Sequence, residues 1–277
     1  MNKRLKSKIV FVVFAFIFSI ASIANATYVK MVEPYNMTLY NNNSIFLGKV
    51  GPGQVFYVSI LGNTTNLKGE QVSGAWNRLN VTAPVGWGVE NSSLYRTTLS
   101  AKVTVPGNVK YGLYNLTFEA INIGNYSKAG TLVFHATVNV TPDVFRLYVY
   151  PSAISAGPGQ PATIYVVINN TGVSDTPFVI NATGIPAWNY TETVIALHHT
   201  TRTFEYPVYE NEPGVYNINI NVTSFNSKLI HESAMVNLNV QSSIINDYEA
   251  LGEGALTFPI IYAPAYAFMN LIGKIFS

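Results

Sequence analysis

The chain has 277 residues, 48% of them hydrophobic and only 11% charged, with 16 Lys and Arg, 14 Asp and Glu, and no cysteine. That length allows one or two domains of ordinary size, and the lack of cysteine excludes disulfides, thiolate chemistry and Cys-based metal sites. Four basic residues fall within the first 26 positions, leaving 12 basic against 14 acidic residues beyond them and no Lys/Arg patch, which excludes nucleic acid as a partner.

The opening reads as an export signal. Lys3, Arg4, Lys6 and Lys8 precede an apolar run from Ile9 to Ile20, and Ala24-Asn25-Ala26 supplies the small-x-small pattern of a cleavage site after Ala26. The alternative is an uncleaved anchor, since Ile9 to Ala24 carries no charge. Both place the rest of the chain outside the cell.

From residue 27 to 241 the pattern is that of strands. Tyr114, Leu116, Phe118 and Ala120 alternate with polar residues, and so do Tyr216, Ile218, Ile220 and Val222. A period of two puts one face in a core and one in water. Val55–Ile60, Leu132–Val140, Ile164–Ile168 and Val236–Val240 are further β-branched or aromatic runs bounded by Gly, Pro and Asn.

These runs form two copies of one pattern. GPGQ occurs at Gly51–Gln54 and at Gly157–Gln160; LNVTAPVGW (79–87) matches INATGIPAW (180–188); Tyr114 falls over Tyr216; and the closing Val140 falls over Val240. The offsets are 106, 101, 102 and 100 residues, the drift expected of loop insertions. The expected fold is all-β: two tandem immunoglobulin-like antiparallel sandwiches, with a boundary near Thr141-Pro142-Asp143. The expected domains are 1–26 (signal), 27–142, 143–241, a linker 242–254 and an apolar tail 255–277. Each GPGQ is expected to be a turn feeding a core strand.

Gly86-Trp87 followed by AKVTVPGNVKYGLYNLTFEAIN (101–122) resembles the NEW3-type and CARDB-like immunoglobulin-like domains of prokaryotic surface proteins. The first copy matches over about 54–140. The second keeps Pro186-Ala187-Trp188 and Gly214-Val215-Tyr216 but lacks the VTVP strand. The resemblance implies spacer or adhesive modules rather than an activity.

Asn-x-Ser/Thr occurs twelve times beyond the signal, at Asn36, Asn42, Asn63, Asn80, Asn91, Asn115, Asn125, Asn139, Asn169, Asn181, Asn189 and Asn221. Chance would give roughly four such triplets. Strands with one wet face pair Asn and Thr at this spacing anyway, which accounts for Asn115, Asn139, Asn181 and Asn221. It does not account for Asn36, Asn63, Asn91 and Asn125, expected in loops. These are candidate acceptors of N-linked glycans, which would supply the solvation that so few charges cannot. Many sequons without cysteine resemble an archaeal envelope protein.

Ala255 to Gly273 runs without a charge up to Lys274, interrupted by Pro259, Pro264 and Asn270. It is long enough to cross a bilayer. A membrane anchor, a membrane-surface segment and a plug into protein all remain open, so the expected partner is the membrane or another envelope protein.

Side chains for chemistry are sparse. His198 and His199, adjacent and assigned to a strand, would point to opposite faces and not share a metal. Glu205, Glu210 and Glu212 lack the spacing of a calcium loop. No cofactor and no catalytic set is expected, although a pocket joining His198 or His199 to Glu192 or Glu205 would reopen the question. Trp87 and Trp188 occupy matching positions and are expected in the two cores. Trp76, outside the repeat, is the better candidate of the three for an exposed aromatic contact with sugar. A carbohydrate-binding accessory module is the alternative reading, and it requires Trp76, Tyr95 and Tyr111 to be exposed and aligned.

Overall fold

The computed structural model describes residues 28–62, 64–65, 71–72, 76–94, 96–124, 130–186, 188 and 190–241. The signal with Ala26, the linker, the tail, Tyr95, Asn63, Asn125 and Asn189 lie outside the described residues. The described residues contain strands and no helix.

The first part of the chain forms β1 (Tyr28–Glu33), β2 (Met37–Tyr40), β3 (Asn43–Val50), β4 (Val55–Leu61), β5 (Thr64–Thr65), β6 (Gln71–Val72), β7 (Arg78–Thr82), β8 (Gly88–Glu90), β9 (Thr98–Thr104), β10 (Gly112–Ile121) and β11 (Leu132–Val140). The second forms β12 (Phe145–Tyr150), β13 (Ala153–Ala156), β14 (Ala162–Asn170), β15 (Thr176–Thr183), β16 (Thr191–Ala196), β17 (Thr200–Val208), β18 (Gly214–Ser224) and β19 (Ser227–Val240). The alternation read in the sequence is physical. Leu116, Phe118 and Ala120 are buried on one face of β10, and Ile218, Ile220 and Val222 on one face of β18.

Two sheets sandwich each core. In the first unit β2-β1-β4-β9-β8 and β3-β11-β10-β7 enclose the side chains around Phe118 and Phe134, whose rings stack at 5.0 Å. In the second, β12-β14-β17 and β13-β19-β18-β15-β16 enclose those around Phe145 and Phe178, 4.6 Å apart. Burying such a ring stabilises by about 1.5–3 kcal/mol relative to exposure, so side-chain cores can hold these units without disulfides. Within each unit the pairings are antiparallel, except that β3 runs parallel to β11 and β13 to β19. A sheet carrying the first, second and fifth principal strands against one carrying the third, sixth and seventh is the strand order of immunoglobulin-type sandwiches.

The repeat extends to single hydrogen bonds. In both GPGQ turns the glutamine N–H donates to the first glycine's carbonyl, and the first glycine's N–H donates to the glutamine Oε1. Gly53 and Gly159 have φ of 79° and 71°, the left-handed conformation a type II turn needs at its third residue. Tyr114 and Tyr216 each donate a phenolic hydrogen bond to the carbonyl four residues upstream, Lys110 at 2.9 Å and Glu212 at 2.8 Å. That is the tyrosine corner of such sandwiches.

Candidate functional site

The most constructed feature outside the cores is the joint between the units. The GPGQ turn of the first unit sits in it. Gln54, fully buried, accepts from Gly51 N–H through Oε1 and donates through Nε2 to Thr176 Oγ1 at 2.8 Å. Ser174 Oγ donates to the Val55 carbonyl at 2.6 Å, and Val173 N–H to the Lys49 carbonyl at 2.9 Å. Val173, though in the second unit's sequence, is buried in the first unit's core. A Cβ on Gly51 would lie 2.3 Å from Ile230 Cδ1, so any larger residue would force the Ile230 side chain to move at this contact between the units. Lys49 Nζ meets Asp143 at 3.0 Å, but both are substantially exposed and such a pair contributes under about 1 kcal/mol.

The histidine pair belongs to this joint, and its assignment to a strand is corrected. His198 and His199 lie in the turn between β16 and β17, with His199 at φ 53°. Chain reversal replaces the opposite-face geometry with two separate contacts. His198 Nδ1 lies 2.7 Å from Asp175 Oδ1, and the His199 ring stacks at 5.0 Å on Tyr35 of the first unit. Burial, and then the neighbouring His198, hold the His199 imidazole below its usual range. A cleft of about 280 Å³ opens beside the pair, with Glu33, Tyr57, Lys102, Asp175, His198 and Asn226 on its wall. Glu192 and Glu205 do not line it.

The three glutamates separate. Glu205 is exposed on β17, whereas Glu210 is 3% exposed and caps its own turn, with Oε1 accepting from Asn211 and Glu212 N–H. Among the described residues no three His, Asp or Glu side chains gather as a metal site.

Nine sequons fall within the described residues. Asn36, Asn42, Asn91 and Asn115 are exposed, whereas Asn80, Asn139, Asn169, Asn181 and Asn221 are half-buried. Asn91 uses its Oδ1 to accept from Val81 N–H, and Asn115 accepts from Thr137 Oγ1. Asn181 and Asn221 face each other in register on β15 and β18, and Asn221 Nδ2 also donates to the Asn219 carbonyl.

The tryptophans divide differently from expectation. Trp87 is buried and packs on Tyr114 at 5.3 Å. Trp188 is half-buried among Tyr190 and Tyr209, and both tryptophans sit in matching turns, their backbone N–H groups donating to the Pro84 and Ile185 carbonyls. Trp76 is not exposed as that role requires: it is 1% exposed, among the largest fully buried side chains. Its backbone N–H donates to the Gly62 carbonyl at 3.1 Å. Tyr111 is exposed, whereas Trp76, the other described member of the expected set, is buried.

The structure instead aligns tyrosines that the sequence reading passed over. Tyr148 and Tyr150 are 56% and 48% exposed on β12, and Tyr150 stacks on Tyr165 of β14 at 5.1 Å. Thr203 and Glu205 of β17 continue the same two rows. In Phe145-Arg-Leu-Tyr-Val-Tyr150 nearly every residue is apolar, so no alternation marks the outer face.

No family model matches the chain, and no curated protein does. The likeness of 86–122 to NEW3-type domains therefore stays a resemblance. Matches do occur among solved structures. The Yersinia pseudotuberculosis adhesin InvE is 12% identical over 78% of this chain and 61% of its own length, with a TM-score of 0.28. Domains 5–6 of the S-layer protein SbsC are 13% identical over 79% of this chain and all of theirs, at 0.27. A chimeric titin Z1Z2 is 12% identical over 79% and 99%, at 0.35.

Proposed function

We propose that the chain is an exported, non-enzymatic structural or adhesive protein of a prokaryotic, archaeal-type cell surface. Its two immunoglobulin-like units act as a stiff spacer, carry N-linked glycans, and are held to the membrane or to another envelope protein through the residues beyond Gln241. The observation that carries this reading is the joint. Gln54–Thr176, Ser174–Val55 and the burial of Val173 in the other unit's core fix the angle between the units, a feature with value in a spacer. The exposed amides of Asn36, Asn42, Asn91 and Asn115 support the glycan coat. Fractionation of the native host tests the whole reading. Release by detergent but not by salt, at a mass above the unmodified mature chain, is the expected result; salt release at the plain mass overturns it.

The carbohydrate-binding accessory module survives as a second reading on the Tyr148–Tyr150–Tyr165 row, since flat aromatic rows beside hydroxyls and carboxylates suit sugar rings. Affinity electrophoresis in soluble polysaccharide gels, comparing the protein with Tyr148→Ala and Tyr150→Ala, tests it. Equal mobility with and without polysaccharide ends it.

A further inference from the structure

The cleft at the joint is assembled from both units. The first unit brings Glu33 at the end of β1, Tyr57 on β4 and Lys102 on β9. The second brings Asp175, just ahead of β15, and Asn226, in the turn between β18 and β19. Val55 and Val173 add apolar wall.

The polar groups are steadied without being used up. Glu33 Oε2 accepts from Ser59 Oγ at 2.8 Å, and Asp175 Oδ1 accepts from the backbone N–H and Nδ1 of His198, both at 2.7 Å. One oxygen of each carboxylate is thus held in place and the other left to accept. Lys102 Nζ is held at 2.7 Å by Glu90, which stands outside the cleft, and an ammonium has three protons to donate. The amide of Asn226, on an exposed turn residue, both donates and accepts.

This mixture selects the ligand. An anion would meet the carboxylates of Glu33 and Asp175, and a cation would meet the Lys102 ammonium, so neither sign is matched throughout. A neutral molecule with several hydroxyls is matched, because a hydroxyl donates to a carboxylate and accepts from an ammonium or amide. Tyr57 adds a ring that is 44% exposed, held on the outer side of β4 because Phe56 and Val58 take the core side. The electron-rich face of such a ring suits the C–H face of a sugar ring. The volume, about 280 Å³, lies just under the range of about 300–1,000 Å³ that takes drug-sized ligands. It suits a single sugar unit.

We propose that this cleft binds one neutral pyranose unit, with Tyr57 under the ring and Glu33, Asp175, Lys102 and Asn226 on its hydroxyls. The bound sugar touches both units and so tightens the joint between them. The site is separate from the Tyr148–Tyr150–Tyr165 row and does not rest on glycans that the chain itself carries.

Saturation-transfer difference NMR on the full chain, with the methyl pyranosides of glucose, galactose, mannose and N-acetylglucosamine at millimolar concentration, tests this. The expected result is transfer to the ring C–H protons of at least one of them. Tyr57→Ala is expected to weaken that binding about tenfold. Asn226→Ala, which leaves the hydrogen bonds of the joint in place, is expected to weaken it too, and Tyr148→Ala to leave it unchanged. No transfer to any pyranoside, or parent-level binding by a folded Tyr57→Ala or Asn226→Ala protein, overturns the proposal. Transfer to arginine methyl ester but to no pyranoside also overturns it, and assigns the cleft to a basic side chain. The purified protein serves for every readout, so this site and the surface attachment tested by fractionation fail separately.

Discussion

Gln54 and Thr176 are 122 positions apart in the chain and 2.8 Å apart in the structure, joined by a buried amide-to-hydroxyl hydrogen bond. Replacing Gln54 with alanine leaves both Gly51 N–H and Thr176 Oγ1 short of a partner. The expected loss is about 1–3 kcal/mol, read as a lower midpoint in guanidinium unfolding. A Gln54→Ala protein as stable as the parent would mean that the joint closes by apolar contact alone.

Acid should weaken the linker end of the joint through Asp143. The Lys49 hydrogen bond, with the Lys49 and Arg146 charges behind it, holds this carboxyl below its ordinary value. A depressed carboxylate contributes stability above the unfolded value, about 3.9, and that contribution disappears as pH falls through the lowered folded value. Asp143→Asn should flatten the stability profile below about pH 4 and reduce its salt dependence, with an effect under about 1 kcal/mol.

A second acid response is expected higher on the scale. His199 is held below the usual imidazole value by burial against the first unit and then by His198. Its contribution is therefore complete above about pH 6.5 and is lost as pH falls through the lowered value. His199→Phe preserves a ring for Tyr35 and removes the titration. Unfolding midpoints between pH 7 and 5 should change less in the variant; an identical slope would assign the effect elsewhere.

Trp76 should behave as a core residue. Trp76→Ala is expected to cost about 3–5 kcal/mol in urea unfolding, whereas Trp76→Phe should keep the fold at a smaller loss. Neither should alter polysaccharide mobility unless unfolding intervenes. A well-folded Trp76→Ala variant that loses sugar binding would restore the role its burial argues against.

The contrast between Trp76 and Phe118 shows what could be read in advance. Phe118 lies in a strand with a period of two, so its burial follows from its neighbours. Trp76 lies outside any strand, and a loop has no period from which to infer facing. The duplicated GPGQ gave both turns and the register of two units, because a type II turn requires glycine at a fixed place. What the turns touch was not readable: Thr176 and Ile230 reach Gln54 and Gly51 from far along the chain, and nothing local in the sequence signals that. His198 and His199 were misassigned for a related reason, since the turn that holds them contains no glycine or proline. The Tyr148 row stayed hidden in a run whose outer face is marked by Arg146 alone, its other members being tyrosines that read as apolar.

The parallel pairing of β3 with β11, and of β13 with β19, has a mechanical meaning. In each unit the strand just ahead of the GPGQ turn, behind the entering strand β1 or β12, lies parallel to the leaving strand, so tension that reaches this pair slides the two past each other instead of peeling them apart. All the hydrogen bonds of the pair then carry load together. Seven residue pairs join β3 to β11 and four join β13 to β19, so under a steady pull the second unit should yield first and leave the first as the more durable link.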